Sequence, residues 1–122
     1  MIRDWLIEAG RVLSVVPGVE FGRITEGPAP LVRRLRSEGR GRRQRTPVER
    51  SRLQRVIRCI DACLPDRGNC YRRSLLEVAL DRGAAEEPFF MGLSAGGGAK
   101  SGHAWLGSSA NLDRRYDAII AI

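Results

Sequence analysis

Two side chains of this sequence have the types and surroundings of a nucleophile and its base. Cys70 follows Gly68-Asn69 and opens Tyr71-Arg72-Arg73-Ser74-Leu75-Leu76, where a helical apolar pattern begins. His103, the only histidine, lies in His103-Ala104-Trp105-Leu106, which alternates as a strand does. A thiol attacks as its thiolate, and the positive end of a helix stabilises that form. The same helix end offers the Cys70 backbone N–H to a developing oxyanion. A second donor is needed, and Asn69 is the candidate. An imidazole in reach takes the thiol proton and later gives it to a leaving amine. A third group must fix the ring's tautomer. Asp113 is the candidate and Asp117 the alternative, because a turn over 107–110 and an antiparallel return would set Asp113 beside His103.

Other assignments compete for these residues. A cysteine is commonly a small buried side chain, and a histidine on a strand is commonly structural. Cys59 and Cys63, one helical turn apart, are expected to face the core. Together with Cys70 and His103 they would make a Cys3His zinc set, but their spacing is unlike a zinc knuckle. The expected site therefore uses no metal and no cofactor. An odd number of cysteines, three, rules out complete internal pairing, as suits thiols in a reducing compartment.

The elements that must position these residues follow from periodicity. Ile2, Trp5, Leu6, Ala9, Leu13 and Val16 predict a first helix over 2–16, ended by Pro17-Gly18. Residues 19–30, with Gly22, Gly27, Pro28 and Pro30, predict irregular chain with short extended pieces. A helix beginning at Leu31 is interrupted by Gly39 and Gly41, and 37–45 reads as a mobile basic linker. Thr46-Pro47-Val48-Glu49 is a capping box with proline at the first helical position. The helix it opens runs to about Cys63, with Val48, Leu53, Val56, Ile57, Ile60 and Leu64 inward and Arg50, Arg52, Arg55 and Arg58 outward. After a turn-rich connector, Asn69 caps a helix from Cys70 to Arg82, stopped by Gly83. Strands are expected over 88–93, 103–106, 111–113 and 116–122, with a glycine-rich loop at 94–101.

The chain of 122 residues fits one compact unit with an N-terminal helical and basic linker region over 1–45, a candidate docking surface, and a catalytic region over 46–122. No apolar run approaches the ~18 residues of a membrane span, and the start Met1-Ile2-Arg3-Asp4-Trp5 lacks a signal-peptide pattern, so the expected location is the cytoplasm. The net charge of +7 is concentrated: 33–58 holds eleven arginines against Glu38 and Glu49. Such a segment suits an anionic partner. Nucleic acid is disfavoured because no aromatics are interleaved for stacking. An acidic peptide or protein, or a purely solvated face, remains open.

The segment Cys70-Tyr71-Arg72-Arg73-Ser74-Leu75, then Leu80-Asp81-Arg82-Gly83, then His103-Ala104-Trp105-Leu106, resembles the leader peptidases of lasso peptide biosynthesis. These are stand-alone transglutaminase-like cysteine proteases, and the resemblance covers roughly 48–122. It implies an α+β fold of the papain/transglutaminase type, with N-terminal helices and a Cys-bearing helix on a small antiparallel sheet. It implies a thiol protease that removes the leader from a ribosomally synthesised precursor peptide during antibiotic biosynthesis. Cys70 would be nucleophile, His103 base and Asp113 the orienting acid. Its partners would be the precursor peptide, a leader-recognition-element protein and the lasso cyclase. Gly107 departs from the family, which often carries an acid two residues after the tryptophan. From other classes, a non-catalytic basic module and a transglutaminase-type acyl transferase are the alternatives.

Overall fold

Helices α1 (Ile2–Thr25), α2 (Pro28–Arg40), α3 (Pro47–Cys63), α4 (Cys70–Leu80) and the single-turn α5 (Arg82–Ala85) precede strands β1 (Phe89–Ser94), β2 (Ser101–Leu106) and β3 (Ala118–Ala121). This computed structural model describes residues 2–94, 101–107 and 118–122. Both strand pairings are antiparallel, in the order β2-β1-β3. The architecture is thus α+β, as the sequence predicts. Among the described residues no helix is long and apolar enough to cross a membrane.

The centre of the fold is α4. Helices α1, α2, α3 and α5 and strand β2 all pack on it, and every residue from Leu75 to Leu80 is buried. Leu75, Leu76 and Leu80 are fully enclosed, each contributing about 1.5–3 kcal/mol by leaving water. One core joins Val12, Val16 and Val19 of α1, Leu31, Val32 and Leu35 of α2, Leu53, Val56, Ile57 and Ile60 of α3, and Phe89, Ala104 and Leu106 of the sheet. The N-terminal helices therefore share a core with the region that carries Cys70.

Three expectations for the first 45 residues are corrected. Pro17 does not end α1, which continues to Thr25. The lost bond is to the Leu13 carbonyl; both residues are exposed, while Val12, Val16 and Val19 hold the buried side on either flank. The apolar residues that marked the helix do not all reach the core: Ile2, Leu6 and Leu13 are exposed, together with Phe21 and Ile24. Residues 37–45 are not a loose linker, since α2 runs through Gly39 to Arg40. Arg45 then joins its guanidinium to the buried carboxylate of Glu8 and donates from Nε to the Leu80 carbonyl at 3.2 Å.

On α3 the capping box forms as expected, with Thr46 Oγ1 accepting from the Glu49 N–H at 3.2 Å and Glu49 Oε1 from the Thr46 N–H at 3.3 Å. Val48 is exposed rather than inward. Cys59 and Cys63 are exposed too, because the buried positions Leu53, Val56, Ile57 and Ile60 leave both cysteines off the core face. Arg50 turns inward instead of outward, joining Glu77 at 2.8 Å, Asp81 at 3.2 Å and Glu87 at 2.5 Å. Helix α4 ends at Leu80, two residues early. Asp81 is extended there, and its carboxylate accepts from the N–H groups of Gly83 and Ala84 to start α5.

The described strands pair through β1 at the centre of the sheet. Strand β3 pairs with β1, opposing Ile119 to Gly92 and Ile120 to Met91, and not with β2. The expected strand at 111–113 and most of the glycine-rich loop lie outside the described residues.

Glycine at 39 has a packing reason that local pattern hides. A Cβ there would stand 1.9 Å from the Val78 carbonyl oxygen and 2.9 Å from the Ala85 Cβ, so α2 meets α4 backbone to backbone. Gly39→Ala is expected to lower the unfolding free energy by about 1–3 kcal/mol or more. Gly41→Ala, whose Cβ would meet nothing closer than 3.4 Å, should stay within about 0.5 kcal/mol of wild type. Urea denaturation of the two variants checks this, and equal losses would contradict the close approach.

Candidate functional site

The turn leading into Cys70 is built by two carboxylates, one arginine and one asparagine. Asp66 and Gly68 take positive φ, 58° and 76°; the Asp66 value is tolerated by a short polar side chain and the Gly68 value by the absence of Cβ. Asp61 Oδ2 accepts the Gly68 N–H at 2.8 Å. Asn69 Oδ1 accepts the Arg72 N–H at 2.9 Å and caps α4. Cys70 is therefore the first residue of a capped helix, as expected.

Arg72, two residues on, is completely buried. Its Nε and Nη2 donate to Asp61 Oδ1 at 2.9 and 2.6 Å. Its Nη1 donates to the Pro65 carbonyl at 2.8 Å and to Glu20 Oε2 at 3.3 Å, and Nη2 also reaches the Asp66 carbonyl at 3.3 Å. One guanidinium thus joins α1, α3 and the 65–66 turn to α4. Partial burial by itself would raise the Glu20 carboxyl. The Arg23 hydrogen bond and charge, followed by those of Arg72, outweigh it and hold Glu20 below its ordinary 4.5.

Strand β2 crosses the start of this helix. The Ala104 N–H donates to Cys70 Sγ at 3.3 Å, fixing the sulfur beside the backbone that carries His103. Ala104 and Leu106 are buried and His103 and Trp105 are half-buried, which is the alternation the sequence predicts. The imidazole stacks on Trp105 with ring centroids 5.6 Å apart and planes at 23°. Trp105 stacks in turn on Phe90 of β1, at 5.6 Å and 25°.

Two clefts flank the thiol. The first, ≈ 230 Å³, is lined by Gln54, Arg58, Arg73, Glu77 and Trp105 as well as Cys70 and His103. The second, ≈ 370 Å³, adds the more apolar Tyr71, Met91 and Leu93 to the same pair. Cys70 and His103 are the residues common to both clefts among those described. Tyr71 closes the second cleft edge-on to Phe89 at 6.1 Å, and burial, ahead of the opposing pull of Arg23, pushes its phenol up.

The structure thus brings Cys70 and His103 to one place. Asp113 and Asp117 lie outside the described residues. Asn69 is the helix cap and also lines the second cleft. Cys59 and Cys63 are exposed on α3, and Cys59 borders a separate groove. Among the described residues no three His, Cys, Asp or Glu side chains are grouped to hold a metal. Sequence reasoning missed the Arg72–Asp61 pair, the Ala104 N–H and the contribution of Gln54, Arg58, Arg73 and Glu77. The Arg72–Asp61 partners stand eleven residues apart on different helices, so no local spacing marks them. No protein-family model, curated protein or solved structure matches the chain.

Removing Asp61 would leave Arg72 buried beside one part-exposed carboxylate and take away the acceptor for the Gly68 N–H. Asp61→Ala is expected to cost about 3–5 kcal/mol, and the double replacement Asp61→Leu/Arg72→Met should recover much of it. Urea unfolding of the two variants measures both effects. A loss below about 1 kcal/mol in the single variant would contradict the role given to this pair.

Proposed function

We propose that this chain is a cysteine peptidase that removes the leader from a ribosomally synthesised precursor peptide during lasso peptide maturation. The observation that supports it most is the shared position of Cys70 and His103. The thiol stands at the start of a capped helix, the imidazole stands on the adjoining strand, and both border the same two clefts. The family resemblance of 48–122 supplies the substrate class, and with it the papain/transglutaminase type of fold.

In this reading His103 takes the Cys70 proton and the sulfur attacks the scissile carbonyl carbon, forming a C–S bond. The carbonyl oxygen becomes an oxyanion, met by the N–H groups at the start of α4. The imidazolium gives its proton to the leaving amine as the C–N bond breaks. Water, deprotonated by the same imidazole, then attacks the thioester. The C–S bond breaks, the acid is released and the thiol is restored. Asp113, or else Asp117, orients the ring. Trp105 stacks on the imidazole and limits water there. No metal or cofactor takes part.

The reaction belongs in the cytoplasm, ahead of the lasso cyclase that uses the freed core N-terminus. A leader-recognition-element protein docks on the 1–45 region. The exposed Ile2, Leu6, Leu13, Phe21 and Ile24 support that surface, since they leave α1 with several large apolar side chains open to a partner.

Cys70→Ala should stay folded and leave the precursor peptide uncut, and His103→Ala should slow cleavage by roughly 10²–10⁴-fold. Mass spectrometry of the peptide products reads both variants. Cleavage by Cys70→Ala at the wild-type rate would refute the assignment, and an amide-linked transfer product in place of hydrolysis would move it to the acyl transferases.

A further inference from the structure

Not all the arginines of 33–58 are available to a partner. Arg34 pairs with Glu26 and Glu38, Arg43 with Glu49, and Arg45 with Glu8; Arg36 donates to the carbonyls of Glu87 and Ile122, and Arg50 joins α3 to α4 and its neighbours. Arg52, Arg55 and Arg58 differ. They recur every third residue on the outer side of α3, are held, like Arg33, Arg40 and Arg42, by no ion pair among the described residues, and unlike those three line one groove together. They line a groove of ≈ 580 Å³ between α3 and the start of α1, with Trp5, Cys59 and the carboxylate of Asp4. Three guanidinium groups against that one carboxylate leave the groove positive. Trp5, 39% exposed, gives it an aromatic wall.

The groove neighbours the site through one shared residue. Arg58 lines both this groove and the polar cleft that contains Cys70 and His103. From Arg52 to Arg58 the helix rises about 9 Å at ~1.5 Å per residue, close to the length of three residues of extended peptide at ~3.3 Å each. Arginine favours carboxylates through paired, charge-assisted N–H donors. Single-stranded nucleic acid would need successive aromatic platforms, and among the described residues Trp5 is the one aromatic lining this groove.

We propose that the Arg52–Arg55–Arg58 groove binds an acidic stretch of the peptide substrate, a few residues from the bond presented to Cys70. This assignment rests on the peptidase reading above, but it concerns binding and is tested without cleavage.

Cys59 lies in the groove, whereas Cys63, one turn along the same helix, is exposed and not among the lining residues. The two thiols form a reporter and its internal control. The probe is a short fluorescein-labelled peptide of alternating Glu and Ser, with a Gln-for-Glu peptide and a single-stranded oligonucleotide of equal charge as comparisons. Alkylation of each cysteine by iodoacetamide is followed by mass spectrometry. With the Glu peptide about tenfold above its Kd, Cys59 should be alkylated about tenfold more slowly and Cys63 at its free rate. The Arg52→Ala/Arg55→Ala/Arg58→Ala variant should bind the peptide at least about tenfold more weakly by fluorescence anisotropy. Absence of Cys59 protection in the wild-type protein overturns the proposal even if that variant fails to fold. So does equal slowing of both cysteines, or equal protection by the Gln peptide or the oligonucleotide. Protection should persist in Cys70→Ala, so its absence counts against the groove whether or not the peptidase assignment stands.

Discussion

Everything near Cys70 depends on one buried guanidinium. Taking a charge such as Arg72 out of water costs several kcal/mol, and the cost is offset here because each of its three nitrogens has an acceptor. Two carboxylates neutralise it from α1 and α3, and the Pro65 and Asp66 carbonyls complete its shell. Asp61 also takes the Gly68 N–H. The pair therefore sets the path of the turn as well as the packing of three helices. A lysine could not replace this arginine, since an ammonium has fewer donors and no planar fork.

From that anchor the geometry runs outward in short steps. The turn delivers Asn69 to its capping position and Cys70 to the first position of α4. The Ala104 N–H ties the sulfur to β2, and β2 brings His103 alongside with its ring stacked on Trp105, which is itself stacked on Phe90. The two clefts differ in character, one polar through Gln54, Arg58, Arg73 and Glu77, the other more apolar through Tyr71, Met91 and Leu93. Arg58 carries the polar side on toward Arg52 and Arg55.

What could be read from residues alone was local. The Thr46–Glu49 box, the Asn69 cap, the position of Cys70 and the alternation around His103 each depend on neighbours within a few positions, and each is found in the structure. What could not be read depends on distant partners. Pro17 and Gly39 look like breakers, yet a solvent-facing Leu13–Pro17 gap and the approach of α2 to Val78 make both compatible with helix. Arg45, Arg50 and Arg72 look like surface charges, yet Glu8, Glu77 and Asp61 draw them inward across long sequence separations. Alternating apolar positions on α1 fit more than one face, and tertiary packing chose Val12, Val16 and Val19. The place of β3 beside β1 likewise follows from the sheet as a whole.

The central claim is that Cys70 is activated by His103 and the start of α4, a pair that Cys59 and Cys63, exposed on α3, do not share. Iodoacetamide reaction rates of the three cysteines of the free protein, resolved by peptide mass spectrometry at about pH 6, test it most directly. The account predicts that Cys70 reacts fastest although it is the least exposed, and that His103→Ala removes its advantage over Cys59 and Cys63. If Cys70 is the slowest of the three, or if its rate is unchanged by His103→Ala, the account is contradicted.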